Sequence, residues 1–208
     1  LGRSKRIGLH VETAGFSLHH AELVGLSFAW GEGEAAYVPL THRYLGAPAQ
    51  VKQSKVFEVL RPVLENPEIE KVGQNLKFDY SILAREGLAL KNLFFDTMVA
   101  AYLLDPSRTN YGLKDLASEC LNRQLTRQEE LLSKDLRGPA GSAFPMDLVE
   151  VEKASPYACA DADCAFQLMD SFQPKLKEKG LDKLFYELEM PLVEILSGME
   201  TRGIRVDL

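Results

Sequence analysis

Ile7-Gly8-Leu9-His10-Val11-Glu12-Thr13 is the stretch on which the reading of this chain turns. It reads as a buried strand that ends by presenting polar side chains. The next strand signal, Glu22 to Trp30, alternates more clearly, with Leu23 and Gly25 set against Val24, Leu26 and Phe28. Ala35 to Leu40 follows the turn signal Gly31-Glu32-Gly33-Glu34. Three strands joined by short loops predict an antiparallel meander. After it, Val51, Val56, Val59, Leu60, Val63 and Leu64 fall at helical spacing within Gln50–Asn66, a helix that stops at Asn66-Pro67.

The pattern then changes. Lys71-Val72-Gly73 is a short strand leading into Asn75, the expected N-cap of a helix from Leu76 to Arg85 or Glu86 that Gly87 stops. Leu93-Phe94-Phe95 is another short strand, followed by a helix capped by Asp96 and running through Leu104. Strand, helix, strand, helix is how parallel strands with crossovers are written. The expected class is therefore α/β, with a mixed five-stranded sheet (an antiparallel meander plus two parallel strands) flanked by helices. Further on, Leu113–Leu121 and Thr126–Leu132 read as helices and Arg137–Ser142 as a mobile loop. Asp147 is expected to cap a helix that restarts at Ser155-Pro156 and continues to about Gly180. Asp182 to Arg202 reads as a final amphipathic helix ending at Gly203.

Length and composition narrow the class of molecule. The 208 residues, 46% hydrophobic and 26% charged, suit one globular domain with at most a short appendage. No apolar run approaches bilayer length, and Leu1 to Arg6 lack a signal region. The opening without Met is expected of a piece of a longer protein. Cys120, Cys159 and Cys164 lack zinc-type spacing and read as free thiols in a reducing compartment. A net charge of -6 does not advertise a nucleic-acid binder. It is compatible with one that grips phosphates through metal ions, because such a site clusters carboxylates.

Polar residues gather where strands end and helices begin. Glu12 closes the first strand, Asp79 lies four residues beyond Asn75, and Tyr157 and Asp161 are four apart on one helix face. Ligands in such sheets collect at strand ends. Clustered carboxylates repel each other unless cations bind, which points to Mg²⁺ or Mn²⁺. Two such ions about 4 Å apart would clamp a phosphodiester and activate water. Each residue alone has a plainer reading: Glu12 as a strand-end charge, Asp79 as a first-turn acid favoured by the helix dipole, Tyr157 as a core aromatic.

Four stretches carry a resemblance: Leu23–Ala29, Val72-Gly73-Gln74-Asn75-Leu76-Lys77-Phe78-Asp79, Phe95-Asp96-Thr97-Met98, and Tyr157-Ala158-Cys159-Ala160-Asp161-Ala162-Asp163. With them the chain resembles the 3′–5′ proofreading exonuclease domain of bacterial DNA polymerase I, of the DEDD superfamily with a ribonuclease-H-like fold. The resemblance implies that Glu12, Asp79 and Asp161 are metal ligands for Mg²⁺ or Mn²⁺, and that Tyr157 orients the attacking water. It implies that Gln74, Asn75, Lys77 and Phe78 contact the DNA end. The substrate it implies is a single-stranded 3′ end, released as deoxynucleoside monophosphates, with Phe16 and Phe78 as stacking candidates. Residues 1–180 would be the exonuclease domain and 181–208 a helical link toward the polymerase domain of the same polypeptide, in a bacterial cytoplasm.

One position departs from the family. Active relatives carry Asp-x-Glu-Thr in the first motif, and its Asp bridges both ions. Here His10 stands in that place. An imidazole offers one lone pair, and its protonated form repels cations. His10 suits at most one softer ion such as Mn²⁺ or Zn²⁺. The expectation is therefore an exonuclease fold with weak or lost activity; the alternative is a degenerate domain kept as support for the polymerase and as a holder of DNA.

Overall fold

The computed structural model describes residues 1–15, 20–133 and 144–207. Its centre is a five-stranded sheet in the order β3-β2-β1-β4-β5, formed by β1 (Arg6–Ala14), β2 (Glu22–Gly31), β3 (Glu34–Pro39), β4 (Glu70–Gly73) and β5 (Leu93–Asp96). β1, β2 and β3 run antiparallel, and β4 and β5 join parallel to β1, as the sequence pattern predicts. The helices are α1 (Gln53–Leu64), α2 (Leu76–Arg85), α3 (Thr97–Leu104), α4 (Leu113–Leu121), α5 (Val151–Glu178), α6 (Asp182–Leu184) and α7 (Met190–Arg202).

β1 is covered on both faces. Ile7, Leu9 and Val11 are fully or almost fully buried. On the opposite face α5 presses flat against the sheet at Gly8, where an added Cβ would lie 2.7 Å from the Ala162 carbonyl oxygen. Only a residue without a side chain allows that approach. One core holds β1, β2, β4, β5 and the inner faces of α1 to α5, and Phe185, Met190 and Val193 from the last helical run belong to it. A single π turn, Phe185–Glu189, joins α6 to α7. α7 is further fastened to α2 by a Ser81–Ser197 hydroxyl hydrogen bond. Lys71 is also fully buried, its Nζ donating to the carbonyls of Asn66 (2.7 Å) and Ile69 (2.9 Å).

Three local expectations are corrected. Thr126–Leu132 contains only the 3-10 turn Gln128–Glu130. Leu131 and Leu132 instead turn into a second, smaller cluster with Val24, Met146, Val149 and Tyr157; so short a helix has little stability of its own to resist that pull. The helix expected to restart at Ser155-Pro156 is one unbroken α5 with Pro156 and Pro174 inside. Pro156 forfeits a bond to the carbonyl of Glu152, an exposed residue. Asp147 caps nothing; it sits in the 3-10 turn Met146–Leu148 and accepts from Arg43 at 3.2 Å. The loop at Arg137–Ser142 and Phe16 lie outside the described residues. Among the described residues no helix is long and apolar enough to cross a membrane.

Candidate active site

Residues two apart on a strand share a face, so His10 and Glu12 point together from the C-terminal half of β1. Opposite them on β2 stand Ser27 and Gly25. The first turn of α2 is pinned to this place because the backbone N–H of Val11 donates to Asp79 Oδ1 at 2.6 Å. His10 then lies between two carboxylates: Nδ1 is 3.5 Å from Asp79 Oδ1 and Nε2 is 3.6 Å from Glu12 Oε1. From the other side α5 supplies Tyr157 and Asp161, one turn apart. His10, Glu12, Tyr157 and Asp161, but not Asp79, line a cleft of about 300 Å³, together with Gln74, Phe78, Leu113 and Phe144. The structure thus gathers Glu12, Asp79, Tyr157, Asp161 and His10, as the sequence predicts.

The flanking motif is placed differently from expectation. Asn75 occupies the N-cap position of α2 but in a left-handed conformation (φ 57°), and its side chain makes no capping bond. The cap comes from Asp96, whose carboxylate accepts the N–H groups of Asn75 (3.0 Å) and Leu76 (2.7 Å) as well as that of Met98 (2.9 Å) at the start of α3. One buried carboxylate therefore starts two helices. Burial pushes its pKa up to about 6, against the pull of those N–H donors. Gln74 does reach the cleft, but its amide is tied to the Tyr111 carbonyl (2.7 Å) and to the Thr97 hydroxyl. Lys77 points away, to Glu200 on α7.

The electrostatics follow from this crowding. Burial draws the His10 pKa down, but Asp79, Glu12 and Asp161 outweigh it and hold the ring at about 9. Burial pushes Glu12 up to about 7, opposed by His10 and by Lys114. Glu12 Oε1 is the one buried side-chain polar atom among the described residues without a hydrogen-bond partner. Burial, and after it the charges of Asp161 and Glu12, push Tyr157 upward, so it remains a neutral phenol.

Three contributors went unread in the sequence. Lys114, from the first turn of α4, places its ammonium on Asp161 and 4.2 Å from the centre of the Tyr157 ring. A cation in a helix's first turn opposes the helix dipole, and that misplacement was the available signal. Tyr37 and His42 form a neutral pair behind Glu12. His42 Nδ1 donates to the Val149 carbonyl at 2.8 Å, which leaves Nε2 to accept from the Tyr37 hydroxyl at 2.8 Å. Tyr37 lies over Gly25, which has no side chain to block it.

As metal donors, one atom each from His10, Glu12 and Asp161 lie within 4.8 Å of one another. With the unpartnered Glu12 oxygen, this is a donor set for one cation. It does not fit a pair. An imidazole offers one lone pair, and only once it has given up its proton, whereas a carboxylate offers two oxygens that two ions can share.

Comparison with known proteins gives a consistent result. The family described as 3′-5′ exonuclease matches residues 1–177. DNA polymerase I of Pseudomonas aeruginosa is 37% identical over 210 residues, which cover 100% of this chain and 22% of that protein. The chain thus spans about a fifth of the length of the curated relatives it matches. Among solved structures, the POL domain of Pol1 from M. smegmatis in complex with DNA primer-template and dNTP superposes with a TM-score of 0.74 at 22% identity, covering 99% of this chain and 30% of that one. Brucella melitensis NrnC with bound Mg²⁺ gives 0.67 at 19% identity, covering 97% and 87%. These likenesses establish a shared ribonuclease-H-like fold.

Proposed function

Because this chain belongs to the 3′-5′ exonuclease family carried by DNA polymerase I, we propose that it receives the single-stranded 3′ end of DNA in the cleft below β1 and hydrolyses it weakly or not at all. The observation that carries this reading is the position of His10. Its ring lies within 3.6 Å of both Glu12 and Asp79, where the family's chemistry calls for a bridging carboxylate. In active members two divalent ions supply the Lewis acid and the activated water. Glu12, Asp79 and Asp161 are the residues that would face such ions here, Tyr157 the phenol that would orient the water, and Mg²⁺ or Mn²⁺ the ions.

What the chain's own residues can do is bind and shield. Phe78 offers aromatic surface to a terminal base, and Gln74 adds a fixed amide to the lining of the cleft. Asn75 would join the DNA contacts, and Lys77 would do so once it leaves Glu200. Residues 1–180 form the exonuclease unit in this reading. Residues 181–208 lead toward a polymerase domain of the same polypeptide, placed with the DNA in the bacterial cytoplasm. Should hydrolysis be wholly lost, the domain's remaining role is to support the polymerase part and hold DNA.

Hydrolysis of a 5′-labelled single strand with Mg²⁺ and with Mn²⁺, in the natural chain, His10→Asp and Asp161→Ala, is the test. The expected outcome is little or no shortening until His10→Asp is made. Vigorous metal-dependent shortening by the natural chain, abolished in Asp161→Ala, would refute the proposal.

A further inference from the structure

We infer that Lys114 is a built-in cation that occupies Asp161 in place of a metal ion, so that restoring a carboxylate at position 10 leaves the site half closed until Lys114 is removed as well. The inference rests on the reading of the cleft given above and adds a second lock to it. Lys114 reaches Asp161 from α4, a different element from any that carries the three acids. Its position is held on three sides. Leu113 next to it is buried in the core, α4 packs along α5, and the chain entering α4 is fixed where the Gln74 amide donates to the Tyr111 carbonyl. The Lys114 side chain is only 20% exposed, and its ammonium also rests on the Tyr157 ring, so two contacts must be given up for it to leave.

The consequence is electrostatic and steric together. Asp161 Oδ1 cannot serve an ammonium and a divalent ion at once without bringing like charges to within about 4 Å, a repulsion that weakens metal binding on the order of a hundredfold or more in a partly buried site. Tyr157 is caught in the same contact, with the ammonium 4.2 Å from the centre of its ring. The Glu12 Oε1 oxygen has no hydrogen-bond partner, so the ammonium's direct contact is with Asp161.

The experiment is Mn²⁺ binding, read by the electron paramagnetic resonance signal of free Mn²⁺ and by calorimetry, with thermal unfolding to confirm that each variant is folded. The variants of the chain are His10→Asp, His10→Asp with Lys114→Met, and His10→Asp with Lys114→Arg. The Lys114→Met double variant should bind Mn²⁺ about a hundredfold more tightly than His10→Asp alone, and the Lys114→Arg double variant should stay with His10→Asp. If Lys114→Met unfolds the chain, Lys114→Gln takes its place in the same comparison. Equal Mn²⁺ affinity in His10→Asp and the charge-removed double variant overturns the inference while leaving the proposed function standing. Tight Mn²⁺ binding by the natural chain overturns both.

Discussion

Replacing His10 by glutamine removes a charge while keeping a polar side chain, and its cost should depend on pH. The folded protein holds the His10 proton with a pKa of about 9, against 6.5 for an unperturbed histidine. At about 1.4 kcal/mol per pH unit, this difference amounts to about 3 kcal/mol of folding free energy. Solvent reaches 25% of the side chain, which trims the figure to about 2 kcal/mol. The sign is fixed by linkage. A raised basic group contributes its stability in full below the unfolded pKa, so the loss in His10→Gln should be complete at pH 6. It should shrink as pH climbs through 9 and be gone, packing aside, near pH 10. Glu12 acts in the same direction lower down. Its folded carboxyl takes up a proton near pH 7, where the unfolded one waits until about 4.5, so the natural chain should lose stability steadily from about pH 5 to pH 9. Urea unfolding of both chains at pH 6 and pH 10, with a chelator present, measures this. An equal difference at the two pH values would refute the idea that His10 is a cation held by the acidic groups around it.

Two further outcomes are expected from the surrounding structure. Asp96→Ala strips the acceptor from the buried N–H groups that open α2 and α3, and should cost about 3 kcal/mol in chemical unfolding, with faster hydrogen exchange at Leu76 and Met98; a loss below about 1 kcal/mol would mean that these donors find other partners. Gly25→Ala drives a methyl group into the Tyr37 ring and should cost about 2 kcal/mol by separating Tyr37 from His42; the penalty should largely vanish when Tyr37→Ala is already present, and an undiminished penalty there would rule out the collision as its cause.

How far the sequence could be read depended on whether a feature was local. The strands and crossovers were legible because alternation, turn residues and helix stops act over a few neighbours, and the three acids with Tyr157 were legible because their motifs are contiguous. Asn75 looked like a cap because asparagine usually serves as one. That Asp96, some twenty residues later, takes the N–H groups instead depends on β4 and β5 lying side by side. Pro156 looked like a helix start because proline favours that place, yet one missing bond in the first turns was a small cost against the burial of Tyr157, Ala158 and Asp161 below it. Lys114 and the Tyr37–His42 pair were illegible for the same reason. Asp161 and Val149, the partners of Lys114 and His42, lie far away in the chain, and the one local hint, a cation in the first turn of α4, does not name its partner.

Gly8 gives the site a tolerance of its own. The spacing between the strand that bears Glu12 and the helix that bears Asp161 is set by bare backbone meeting bare backbone, two residues before His10. That gauge is indifferent to what His10 or Lys114 happens to be. The side chains facing the cleft can be exchanged, in nature or at the bench, while the two halves that carry them stay at the same separation. On the function proposed above, weak or absent hydrolysis would be a change of fittings within an intact frame, which makes the domain a favourable place in which to try restoring it.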